Sequence, residues 1–90
     1  MYIYVIRWES RISDETESGN FEVCYTDEAE AKTVMKKDYE ETFLEWKRSD
    51  IGDLVETRVN KSGDFREIHV DGEDYYDYYE WHIDKLEVKD

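Results

Sequence analysis

Between residues 28 and 48, apolar side chains fall at Ala31, Met35, Tyr39, Phe43 and Trp46, spaced by four, four, four and three. That spacing lines one side of an α-helix and leaves the remainder polar. Val34 and Leu44 flank the stripe. A helix of ~20 residues is ~30 Å long. Its single apolar face must be buried against another layer. Thr26 or Asp27 can cap its start, because a short side-chain oxygen accepts free N–H groups of the first turn. Asp27 and Glu30 also have capping-box spacing.

On both sides of this segment the period changes to two, so the second layer is expected to be a sheet. Tyr2 to Trp8 is rich in β-branched and aromatic residues and apolar on both faces, which suits an interior strand. Glu9 to Asn20 is polar, with Ile12 its only apolar member, and reads as a long loop. Phe21, Val23 and Tyr25 alternate with Glu22 and Cys24, which predicts a half-buried strand paired antiparallel with the first.

Beyond the helix, Val55, Thr57 and Val59 alternate with Glu56, Arg58 and Asn60. Lys61 to Asp64 forms a turn in which Gly63 can take a positive φ. Phe65 to Val70 is the next strand, and Asp71-Gly72 is a tight-turn signal. The last strand places Tyr79, Trp81 and Ile83 on one face, while Leu86 and Val88 fall out of that register. A bulge is therefore expected near Asp84 and Lys85. The result is a β-β-α-β-β-β order: one α+β domain over residues 1–90, an antiparallel sheet with one long helix packed on it.

Charge narrows the function. The chain carries 25 Asp and Glu against 12 Lys and Arg, a formal net charge of −13. Direct binding to nucleic acid is excluded, since phosphates need Lys and Arg. No apolar run approaches a membrane span. Cys24 has no disulfide partner within the chain, and no signal-peptide pattern opens the sequence, so a reducing cytoplasm is the expected setting.

The excess charge is uneven. Residues 71–90 hold eight acids and two lysines, whereas on the helix Glu28 with Lys32 and Lys37 with Glu41 are spaced to pair. Within the terminal segment, Tyr75-Tyr76-Asp77-Tyr78-Tyr79-Glu80-Trp81 interleaves five aromatics with carboxylates. On a strand Tyr79 and Trp81 point inward while Tyr76 and Tyr78 point outward. Exposed tyrosine is favoured at interfaces. A solvated hairpin with aromatic cross-strand pairs is the plainer alternative.

Other chemistries find little support. Asp71 to Asp77 lacks the EF-hand pattern. His69 and His82 can share the sheet, but one cysteine and no Cys/His cluster argue against zinc. There is no phosphate loop and no nucleophile elbow. Glu80 and Asp84 can be drawn as an acid–base pair, although close carboxylates arise by chance in so acidic a chain. No cofactor, metal or catalytic residue is expected, and the chain is read as a non-enzyme.

The segment Tyr2-Ile3-Tyr4-Val5-Ile6, the run Phe21-Glu22-Val23-Cys24-Tyr25-Thr26-Asp27-Glu28-Ala29 and the acidic, tyrosine-rich terminus share a layout with one class. In size and charge the chain resembles small acidic accessory proteins of phages and mobile elements, including anti-CRISPR proteins and other DNA mimics. The resemblance implies a non-enzymatic inhibitor whose carboxylates stand in for phosphates on a basic, nucleic-acid-binding protein. The partner-binding residues expected are Asp71, Glu73, Asp74, Tyr76, Asp77, Tyr78 and Glu80, with Glu9 to Asn20 as a secondary surface. The competing expectation is an interaction module that self-associates as a homodimer, acidic only for solubility.

Overall fold

A computed structural model describes residues 1–49, 52–72 and 76–89. It has five antiparallel strands and one long helix. They are β1 (Tyr2–Ile12), β2 (Glu15–Asn20), α1 (Glu28–Lys47), β3 (Val55–Val59), β4 (Phe65–Asp71) and β5 (Tyr76–Glu87). The strands order as β2-β1-β5-β4-β3, so α1 lies on one face of a single sheet. This is the expected α+β two-layer domain.

The helix follows its stripe. Asp27 caps it, its carboxylate accepting from the Ala29 N–H at 2.9 Å. Ala31 and Met35 are fully buried, and Tyr39, Phe43 and Trp46 pack on the core beyond them. Leu44, off the stripe, is exposed. The sheet supplies Ile6, Val55, Ile68, Val70 and Trp81. Burying a side chain such as Met35 contributes about 1.5–3 kcal/mol. No helix is long and apolar enough to cross a membrane among the described residues.

Four expectations are corrected. Glu9 to Asn20 is not a loop: β1 runs on to Ile12, the chain reverses at Ser13-Asp14, and β2 returns in unbroken register. Ser13 and Asp14 have φ of 54° and 68°, so the reversal is a two-residue turn with both residues left-handed. Phe21 to Tyr25 is not a strand. Phe21 and Tyr25 do pack on the core, and Tyr4 and Tyr25 form one isolated bridge, but Val23 and Cys24 are exposed.

No bulge interrupts β5, whose pairing with β1 is continuous from Tyr78 to Glu87. Leu86 lies on the opposite face from Trp81 and is exposed, so its phase needs no kink. Asp71 pairs with Tyr76 and closes β4, so the Asp71-Gly72 turn signal stands where β4 ends. On the helix, Glu28 pairs with Lys32 at 3.2 Å as expected, whereas Lys36 with Glu40, at 3.9 Å, takes the place of Lys37 with Glu41. Gly63 has the anticipated positive φ, 77°.

Candidate functional site

The sheet face turned away from α1 carries the most concentrated chemistry. Strand periodicity sets its membership: residues sharing the parity of Tyr78 face away from Trp81 and the helix. Cross-strand register then fixes its rows. One row runs Ser18, Glu9, Glu80, Glu67 and Arg58. The next runs Thr16, Arg11, Tyr78, His69 and Glu56. A third holds Asn20, Arg7, His82 and Phe65, and Tyr76 with Asp71 closes the far end. Three glutamates, Glu9, Glu80 and Glu67, therefore stand side by side on adjacent strands whose backbones are about 4.8 Å apart.

Each of these carboxylates has a local neighbour. The Tyr78 hydroxyl donates to Glu9 Oε1 at 3.1 Å. His82 Nε2 lies 3.2 Å from Glu80 Oε2. Glu67 is 5% exposed, and its Oε1 lies 2.9 Å from His69 Nδ1 and 3.8 Å from Arg58 Nε. The approach to His69 is close but poorly aligned, so neither atom completes a hydrogen bond. His69 Nε2 meets Glu56 Oε2 at 3.2 Å. Arg7 is taken by Asp84 at 3.0 Å and Arg11 by Asp14 at 3.2 Å. Cations on this face are mostly engaged, and its carboxylates outnumber them.

Aromatic rings border the row. His69 stacks on Tyr76 at 5.8 Å, Tyr76 meets Tyr78 at 5.8 Å, and Phe65 meets His82 at 4.9 Å. Burial foremost, then the charge of Glu67, pushes the Tyr76 phenol above its ordinary value. Tyr78 is raised by burial and then by its bond to Glu9. Both phenols remain protonated donors at neutral pH. A face of this kind offers carboxylate acceptors beside flat, polar-tipped rings, which suits guanidinium and ammonium groups.

Of the residues anticipated from sequence, Asp71, Tyr76, Tyr78 and Glu80 come together on this face. Asp77 does not. It has the parity of Trp81, and its Oδ1 accepts from the Ser13 N–H at 3.2 Å. It lines a small cavity of about 180 Å³ with Ile12, Trp46 and Ser49. Glu73 and Asp74 lie outside the described residues. Glu67, His69 and His82 join the site without having been assigned to it, and Glu9, expected only in a secondary surface, stands in its central row; Glu9, Glu67 and His69 arrive from neighbouring strands through register.

Glu80 and Asp84 share a face but stand four residues apart on one strand, roughly 13 Å, and bond to His82 and Arg7 respectively. They do not converge as an acid–base pair. Among the described residues no group of three or more His, Cys, Asp or Glu is placed to hold a metal ion. Comparison with family models, with curated proteins and with solved structures finds no match to the chain.

Proposed function

We propose that this chain is a non-enzymatic acidic binding protein, of the phage or mobile-element inhibitor kind, that occupies the nucleic-acid-binding surface of a basic protein. The observation that carries the reading is the lateral row Glu9, Glu80 and Glu67 beside Tyr76 and Tyr78. Like charges directly opposed across strands are destabilising. Two such contacts meet at Glu80, an arrangement that solubility alone does not require.

Charge density supports the same reading. The net 13 negative charges spread along a molecule 51 Å in its longest dimension amount to about one per 4 Å. That resembles one nucleic-acid strand, with one charge per ~3.4 Å, more than a duplex at ~1.7 Å. The mimic is thus of single-strand density, and association with a basic groove is fast and salt-sensitive.

The test is recovery of partners from the native bacterial host at low and moderate salt, followed by competition. A partner that binds nucleic acid, is displaced by single-stranded DNA, and is lost with the double variant Tyr78→Ala/Glu80→Lys supports the reading. Partners indifferent to both salt and single-stranded DNA overturn it.

A further inference from the structure

Strand β2 lies at the edge of the sheet with β1 on one side only. In an antiparallel ladder the N–H and C=O of alternate residues point to opposite sides of the strand. Phe21, which continues β2 by one residue, donates its N–H to Ile6 O on β1. By that phase the backbones of Glu15, Glu17 and Gly19 turn inward, and those of Thr16, Ser18 and Asn20 present unpaired donors and acceptors at the free edge. We propose that this edge takes an extended basic segment of the partner as a sixth strand, with Arg or Lys at alternate positions. The proposal rests on the basic-partner reading above and assigns the partner a backbone conformation and a charge pattern.

Three observations favour this occupant. First, edge strands are ordinarily blunted by charged side chains, by proline, by a bulge or by a covering element. β2 contains neither lysine nor proline, its register has no bulge, its residues are exposed apart from Gly19, and its only charges, Glu15 and Glu17, deter an acidic strand and favour a basic one. Second, its outward-backbone residues have short, uncharged side chains on the open face. With Arg7, Glu9 and Gly19 they line a groove of about 390 Å³. Third, the charges that border the edge are acidic on both faces. Arg7 is neutralised by Asp84, leaving Glu9 as the free charge of the groove, while Glu15 and Glu17 project from the other face of β2.

An added strand would lie two strand spacings, roughly 10 Å, from β1. An arginine stem lying across Ser18 covers that span and brings its guanidinium to Glu9. Basic residues two apart share that face and follow the groove, while Glu15 and Glu17, on the other face of β2, add to the attraction through their field. Pairing of β2 with β2 of a second copy instead sets these glutamates against their own kind, which like-charge repulsion opposes.

The probe is a capped octapeptide of alternating Arg and Thr, titrated into the isotope-labelled full chain and followed by amide chemical shifts and hydrogen exchange. A peptide of the same composition with its arginines in one block is the control. The expected result is shift changes and slowed exchange at Thr16, Ser18 and Asn20, with the alternating peptide tighter than the block. Ser18→Pro removes an outward N–H without touching the β1 ladder and is expected to weaken binding about tenfold. Ser18→Lys, which places a like charge in the groove, gives the same loss should the proline variant fail to fold.

Unchanged affinity in both variants, with shifts confined to Tyr76 to Glu80, overturns strand addition and leaves binding on the open face intact. Failure of both peptides to bind overturns strand addition together with the basic-partner reading. Concentration-dependent dimerisation with shifts on β2 overturns the proposal by giving the edge to a second copy.

Discussion

Trp81, fully buried at the centre of the sheet, donates its indole N–H to Asp38 Oδ2 on α1 at 2.8 Å. This bond joins the two layers beside their apolar contact, where Arg66, the cross-strand neighbour of Trp81, also lies over the Tyr39 ring at 4.9 Å. Tyr39, one residue on, meets the same indole edge-on at 5.7 Å. The helix is therefore fixed in rotation as well as in position. Asp38→Ala leaves the indole N–H buried without an acceptor and is expected to cost about 1–3 kcal/mol. Asp38→Asn keeps an acceptor oxygen and is expected to cost less. Urea unfolding followed by tryptophan fluorescence measures both, and equal losses would show that the charge of Asp38, rather than the hydrogen bond, matters.

The reversal between β1 and β2 holds two non-glycine residues at positive φ. For an L-residue this backbone conformation costs roughly 1–2 kcal/mol. Asn-Gly is the pair best suited to such a turn. The double change Ser13→Asn/Asp14→Gly is expected to stabilise the domain by about 1 kcal/mol, or roughly 4–8 °C in Tm for a chain of this size. The Ser13 N–H that bonds Asp77 is retained, and the exposed Arg11–Asp14 pair contributes little. A thermal melt decides the matter, and an unchanged or lower Tm refutes the strain argument.

Those two sites show what a sequence can carry. The helix was legible because Ala31, Met35 and Tyr39 repeat at a helical period and Asp27 stands where a cap belongs. The parity of Trp81 likewise put Tyr76 and Tyr78 on the face away from the core. β2 was not legible, since it lies beyond the reach of α1 and needs no apolar alternation. On its core-facing side Gly19 lies against the Trp8 ring, where a Cβ would crowd the indole. Phe21 to Tyr25 misled in the opposite sense: two aromatics reach the core from irregular backbone. Asp77 was grouped by its charge although its parity is that of Trp81. Glu9 and Glu67 became neighbours of Glu80 only through register, which the Ser13-Asp14 turn and the β4–β5 pairing impose.

Asp64 ties the β3–β4 turn together, accepting from Asn60 Nδ2 and from Ser62 Oγ. These hydrogen bonds, Asn60 first, hold its carboxyl below the ordinary value of 3.8. A carboxyl with a lowered folded-state pKa stabilises the fold above the unfolded value, because there the unfolded chain no longer binds the proton in excess. That contribution is lost as pH falls through the folded value. Asp64→Asn is therefore expected to be less stable than the parent at neutral pH, with the gap closing below about pH 4. Urea midpoints measured from neutral to strongly acidic pH test this. A gap that persists unchanged into acid assigns the effect to side-chain shape instead of charge.

Glu80 stands directly opposite Glu9 on one side and Glu67 on the other. If this row exists to meet a cationic partner, its isolated state carries unrelieved repulsion. Glu80→Gln removes that repulsion while keeping an oxygen for His82, 3.2 Å away in the parent. The expected outcome is a gain of about 0.2–1 kcal/mol in stability together with weaker binding to the partner and a shallower salt dependence. Urea unfolding gives the first quantity and binding at two salt concentrations the second. A loss of stability would show that the carboxylate is held mainly by its own sheet, and the row would then be a structural network. A gain in stability with loss of binding is the signature of charge placed for a partner at the expense of the fold.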